Sequence, residues 1–144
     1  MAAEEITISL KAAEDHLRTA WKALQGGEFY SSVFHSASAA ENAANALVLS
    51  LGGVVPRAHR DADAMRTAAL GQRPELLQRE DFKRMLEKVG ALEKHVVMSR
   101  YPIEVENGKF VPPHEYYKEE DARRMFEDAK FVVEVIKHLI VPEG

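Results

Sequence analysis

Apolar residues return at three- and four-residue steps through most of the chain, the spacing that lines one face of an α-helix. Ile6, Leu10, Ala13, Leu17, Ala20, Trp21 and Leu24 predict a first amphipathic helix, stopped by Gly26-Gly27. Tyr30, Val33, Phe34, Ala37, Ala40, Ala44, Leu47, Val48 and Leu51 predict a second, from about Glu28 to Leu51, ended by Gly52-Gly53. A third is expected over Glu80 to Met98, with Phe82, Met85, Leu86, Val89, Leu92 and Val96 inward, and a last over Glu119 to Ile140, with Ala122, Met125, Phe126, Ala129, Val133, Ile136 and Ile140 inward. Ala58 to Leu70 reads as a weaker, shorter helix.

Short connections between long amphipathic helices favour antiparallel neighbours. The expected fold class is therefore all-α: an up-and-down bundle of four long helices and one short one, in a single domain over residues 1–144. The second helix carries Ala39, Ala43, Ala46 and Leu49 beyond its main stripe. A helix with small or apolar residues on several faces belongs at the centre of a bundle or between subunits, so a homodimer is expected.

Met98 to Tyr117 breaks the helical pattern for longer than a bundle connection usually does. Inside it, Ile103 to Val111 alternates around Asn107-Gly108, a strong hairpin signal. A two-residue turn there would set Glu106 against Lys109 and Val105 against Phe110. Ile103, Val105 and Phe110 would then share the face laid on the bundle. Pro102 leads into this hairpin and Pro112-Pro113 are expected to leave it extended.

Composition narrows the chemistry. The 144 residues include no cysteine, which removes thiol nucleophiles and cysteine-ligated metals. Nineteen Lys and Arg against twenty-three Asp and Glu give −4, so the whole chain does not attract polyanions. The excess is uneven: residues 57–88 carry 8 basic and 6 acidic groups, a mildly basic middle between acidic ends. The acidic start does not fit a secretory signal, and the longest uncharged run, Asn42 to Pro56, is shorter than the ~18 apolar residues of a membrane span. A soluble, cytoplasmic protein without a membrane partner is expected. No metal or cofactor motif is present: Glu-x-x-His is missing, and Glu134 with His138 is one isolated pair. No nucleophile elbow or phosphate-binding glycine loop occurs either.

Three positions stand out. Glu41 lies beside the apolar stripe of the second helix, where a carboxylate must find a partner or raise its pKa; it either ties helices together or lines a pocket with Asn42 and Asn45. Arg100-Tyr101 opens the long segment directly after a helix. Arg offers a planar fork for phosphate or carboxylate and Tyr a face for stacking; the structural alternative has Arg100 capping the helix and Tyr101 filling a gap under the hairpin.

Taken together, Phe34-His35-Ser36-Ala37-Ser38-Ala39-Ala40-Glu41-Asn42-Ala43-Ala44-Asn45-Ala46-Leu47, Ser99-Arg100-Tyr101-Pro102 and Tyr117-Lys118-Glu119-Glu120-Asp121-Ala122 resemble HEPN domains (higher eukaryotes and prokaryotes nucleotide-binding), over about residues 9 to 140. His59 stands where that family tends to place a histidine. The resemblance implies a helical bundle, commonly homodimeric, among relatives that include ribonuclease toxins and proteins encoded beside a minimal nucleotidyltransferase; some bind nucleotides. Ribonuclease members carry Arg, four to six residues, then His, and no Arg here has a His in that window. Asn45 replaces a frequent lysine and Lys118 a frequent Ser or Thr cap.

The expectation that follows is a non-catalytic dimer binding a nucleotide-like anion, a nucleotidyltransferase partner, or both. Glu41 would organise the site, Arg100 take the anion, Tyr101 stack and His59 donate a hydrogen bond. One alternative is a metal-independent ribonuclease using Arg100 and His114, fourteen residues apart. Another is a structural adaptor that docks through the hairpin.

Overall fold

The computed structural model describes residues 2–57 and 59–140. Helix α1 (Ala2–Gln25) is followed by α2 (Phe29–Ser50), α3 (Asp61–Gln72), a 3-10 turn (Pro74–Gln78), α4 (Glu80–Leu92) and the single-turn α5 (His95–Met98). A two-stranded hairpin, β1 (Ile103–Glu104) and β2 (Phe110–Val111), leads to the single-turn α6 (Pro113–Tyr116) and to α7 (Glu119–Ile140). Among the described residues, no helix is long and apolar enough to cross a membrane.

The glycine pairs end α1 and α2 in the same way. Gly27 and Gly52 take φ of +77° and +75°. The N–H after each reaches back to the last turn: Glu28 to the Ala23 carbonyl at 2.9 Å, Gly53 to that of Val48 at 2.8 Å. These are Schellman stops, which need a residue that tolerates the left-handed region. The first turns the chain back so that α2 packs along α1, where the Ser32 hydroxyl donates to the Ala20 carbonyl at 2.8 Å.

Helix α2 is the axis of the bundle. It touches α1, α3, α4, α5, α6 and α7, and Ala37, Ala39, Ala40, Ala43, Ala44 and Ala46 are buried along it. Side chains this small let several neighbours approach its backbone at once. Larger groups fill the space outside: Phe82, Met85, Leu92, Leu47, Met65 and Ile136 are fully buried.

Several expectations are corrected. The helix beginning at Glu80 does not run through to Met98; its ladder is interrupted at Glu93-Lys94, where the Glu93 carboxylate accepts the Ala62 N–H at 2.7 Å and anchors the first turn of α3. That α3 spans Asp61–Gln72 rather than 58–70, and Ala58 lies outside the described residues. Pro113 does not continue the extended chain of Pro112 but opens α6, a position where its missing N–H costs nothing. Trp21, placed on the inward stripe by spacing, is 45% exposed against Phe126.

The hairpin forms, in a different register. Ile103 pairs with Val111 and Glu104 with Phe110, and the Val105 N–H donates to Lys109 O at 2.7 Å. Glu106, Asn107 and Gly108 thus make a three-residue loop, with Asn107 and Gly108 both left-handed. Since strand side chains alternate, one residue of slip reverses a face: Ile103 stays buried, and Phe110 turns outward at 64% exposure. At the entry to α7, Lys118 supplies no capping oxygen, but its own N–H donates to Asp121 Oδ2 at 3.0 Å, the reciprocal half of a capping box.

Candidate functional site

Helical spacing gathers Tyr30, Ser31, Phe34, His35, Ser38, Glu41, Asn42 and Asn45 along one side of α2. Phe34, His35, Glu41, Asn42 and Asn45 along it are only half-buried. Two sets of side chains meet this side, about 10 Å apart along the axis.

The first is a groove of about 330 Å³ lined by Tyr30, Ser31, Phe34, Ser99, Arg100, Pro113 and His114. Arg100 follows α5 and donates from Nε to the Val96 carbonyl at 3.1 Å, so it does cap that short helix. Its guanidinium carbon lies 5.4 Å from the Phe34 ring centroid and 5.5 Å from that of Tyr101. Aromatic faces on a cation hold it in place without neutralising it. The terminal nitrogens of the fork make no ion pair among the described residues. His114 enters from α6 with its ring 6.4 Å from that of Tyr30; the hairpin folds the chain back, so that Arg100 and His114 line one groove. Tyr101 is exposed and fills no gap under the hairpin. Tyr117 is buried instead, its hydroxyl 2.8 Å from His95 Nδ1.

The second set joins Glu41 to His59, Oε2 to Nδ1. His59 holds a φ of +49°, in the left-handed region that few side chains adopt. Next to it Asp61, at the start of α3, is 3% exposed. Burial above all, then the carboxylates of Glu41 and Glu93, pushes its pKa up to about 7, against the pull of His59.

Between the two sets, His16 of α1 and His35 of α2 place their Nδ1 atoms 2.9 Å apart. One ring must donate and the other accept, so the pair cannot be doubly protonated at this distance. Burial lowers the pKa of both, with Glu41 opposing it at His16 and His16 reinforcing it at His35.

Asn42 turns inward on its own helix, donating to the Ser38 carbonyl at 2.8 Å, while Asn45 Oδ1 is buried with no partner among the described residues. The basic middle segment forms no uniform patch: Arg66, Arg73, Arg79 and Lys88 each sit beside a carboxylate.

His16, Phe34 and Asp61 were not singled out as site residues by sequence. Phe34 carried a core signature because it falls on the apolar stripe. Asp61 opens a helix, where an acid is ordinary. Only its burial, within range of Glu41, Glu93 and His59, distinguishes it.

Comparison with known proteins gives the family of the chain. A family profile described as "HEPN domain" matches residues 6–139. The chain is 35% identical over 131 residues to a protein of Methanocaldococcus jannaschii named "Putative toxin MJ1304", covering 91% of this chain and 85% of that one. Two crystal structures are similar. ST0689, described as an archaeal HEPN homologue, has a TM-score of 0.69 at 26% identity, over 94% of this chain and 98% of that one. TT1696 from Thermus thermophilus has a TM-score of 0.71 at 25% identity, over 92% and 96%.

Proposed function

The chain belongs to the HEPN domain family, and on that premise we infer that it is the toxin-like half of a two-protein pair. It acts in the cytoplasm as a non-catalytic homodimer. Arg100 takes a nucleotide-like anion, and a minimal nucleotidyltransferase protein is the partner. The name of the Methanocaldococcus relative supports the toxin-like role. The half-buried side of α2 supports the dimer, because a second subunit would finish its burial.

The observation that carries the anion site is Arg100 itself. Its guanidinium rests between two aromatic rings at a groove, with Nε engaged and the outer nitrogens left for a bidentate phosphate. Tyr101, exposed beside it, offers a ring to a base. Glu41 and His59 hold the segment before α3 in place rather than touching the ligand. Calorimetry with ATP, GTP and a short RNA, repeated on Arg100→Ala, tests this assignment. Saturable binding by the wild type, weakened about tenfold or more in the variant, supports it. Equal binding by both, or by neither, overturns it.

A second reading has one observation in its favour: Arg100 and His114 line the same groove despite their separation in sequence. An imidazole beside an arginine fork is the minimum for metal-independent RNA cleavage by acid–base catalysis. Cleavage of single-stranded RNA that persists in a chelator and falls at least about a hundredfold in His114→Ala would establish it and displace the non-catalytic role.

A further inference from the structure

The groove between α1 and α7 shares no residue with the Arg100 site. Trp21, the chain's only tryptophan, stands half-exposed with its ring centroid 5.3 Å from that of Phe126. With Leu17 they give an apolar surface to a groove of about 430 Å³, within the range of small-molecule sites. Its charged rim is lopsided. Arg18 is paired with Asp15, and Glu14 with Lys137 at 3.2 Å. Lys22 on α1 and Lys130 on α7, which also line the groove, make no ion pair among the described residues. Two ammonium groups without an ion pair among the described residues thus flank an exposed indole, although Lys130 also borders the carboxylates of Glu127, Asp128 and Glu134.

Each feature selects part of a ligand. An exposed indole gains by covering its face with another flat ring. Lys22 and Lys130 favour a negative group within a few ångströms of that ring. We propose that this groove binds a small planar aromatic anion, an aryl carboxylate or an aryl phosphate. It is independent of the anion site at Arg100, so either can fail without the other.

The lone tryptophan makes the test direct. The full chain is titrated with 3-phenylpropionate, with phenyl phosphate and with neutral 3-phenylpropanol, following Trp21 emission and heat. At least one anion should shift the emission saturably, with a Kd of about 1 mM for a ligand of this size. Phenylpropanol should bind at least about tenfold more weakly. A Lys22→Glu, Lys130→Glu double variant, whose sites are exposed, should keep the wild-type circular dichroism and lose about tenfold or more in affinity. Which anion binds more tightly separates a carboxylate source from a phosphate one. No saturable shift up to about 20 mM, well above the expected Kd, overturns the proposal. So does equal binding of the neutral alcohol, or a charge-reversed variant that binds unchanged. An emission that shifts with protein concentration alone also overturns it, since a second copy would then occupy the groove.

Discussion

Asp61 and His95 show how burial sets the behaviour of single residues. In the folded chain Asp61 keeps its proton to about pH 7, against 3.8 for an ordinary Asp. Between those values the folded state binds more protons than the unfolded one, so stability falls as pH rises. His95 acts in the opposite sense: burial above all, helped by Lys94 and Arg124, lowers its pKa from 6.5 to about 4. Its contribution is present above pH 6.5 and is lost as pH falls toward 4. The two slopes oppose each other over most of that interval. Asp61→Asn removes one of them while keeping the side-chain shape. We expect the variant to exceed the wild type in urea stability at about pH 8 by on the order of 2 kcal/mol, with the gap narrowing steadily below pH 7 and closing only near pH 4. A gap independent of pH would mean that Asp61 is not the buried acid described here.

At the scale of elements, the hairpin and the helix stops make the sharpest predictions. Asn107-Gly108 correctly marks a hairpin, but the dipeptide cannot choose between a two- and a three-residue loop. That choice falls to which side chains the bundle accepts, and it takes Ile103 and leaves Phe110 out. Ile103→Ala should therefore cost about 2 kcal/mol or more. Phe110→Ser should stay within about 0.5 kcal/mol, as surface changes do; the two-residue register would make both costly. Gly53 is tested in the same way. A Cβ there would stand 2.9 Å from Val48 Cγ1 and 3.0 Å from Ala68 Cβ, so Gly53→Ala should destabilise the α2–α3 junction by roughly 1–3 kcal/mol in chemical denaturation. The Glu93-Lys94 interruption has no turn residue to announce it in the sequence. It is set by a carboxylate reaching across to the start of α3.

For the whole molecule, the position of α2 decides most of the rest. Its alanines allow the surrounding helices to close on it. Ala43→Leu should lower the thermal midpoint, at a cost of about 1–3 kcal/mol for overpacking a full core, whereas a peripheral α2 would tolerate the change. The same placement makes the candidate sites possible. One side of α2 is left half-covered, and α1, the 52–60 segment and the loop after α5 each bring polar groups to it.

The sequence by itself determined the long helices in outline, their order and the glycine stops, and narrowed the second helix to the centre of the bundle or a subunit interface. All of these follow from local periodicity and from small residues that only a crowded axis requires. It also marked Glu41, His59, Arg100, Tyr101 and His114 as residues of interest. Only the tertiary structure decided which of them meet. Glu41 finds His59 across eighteen positions. Arg100 rests on Phe34 and shares a groove with His114, while Trp21 turns to the surface and Phe110 away from the bundle. The physical reason is that a contact between distant segments is fixed by the packing of everything between them, and no short stretch of sequence carries that information.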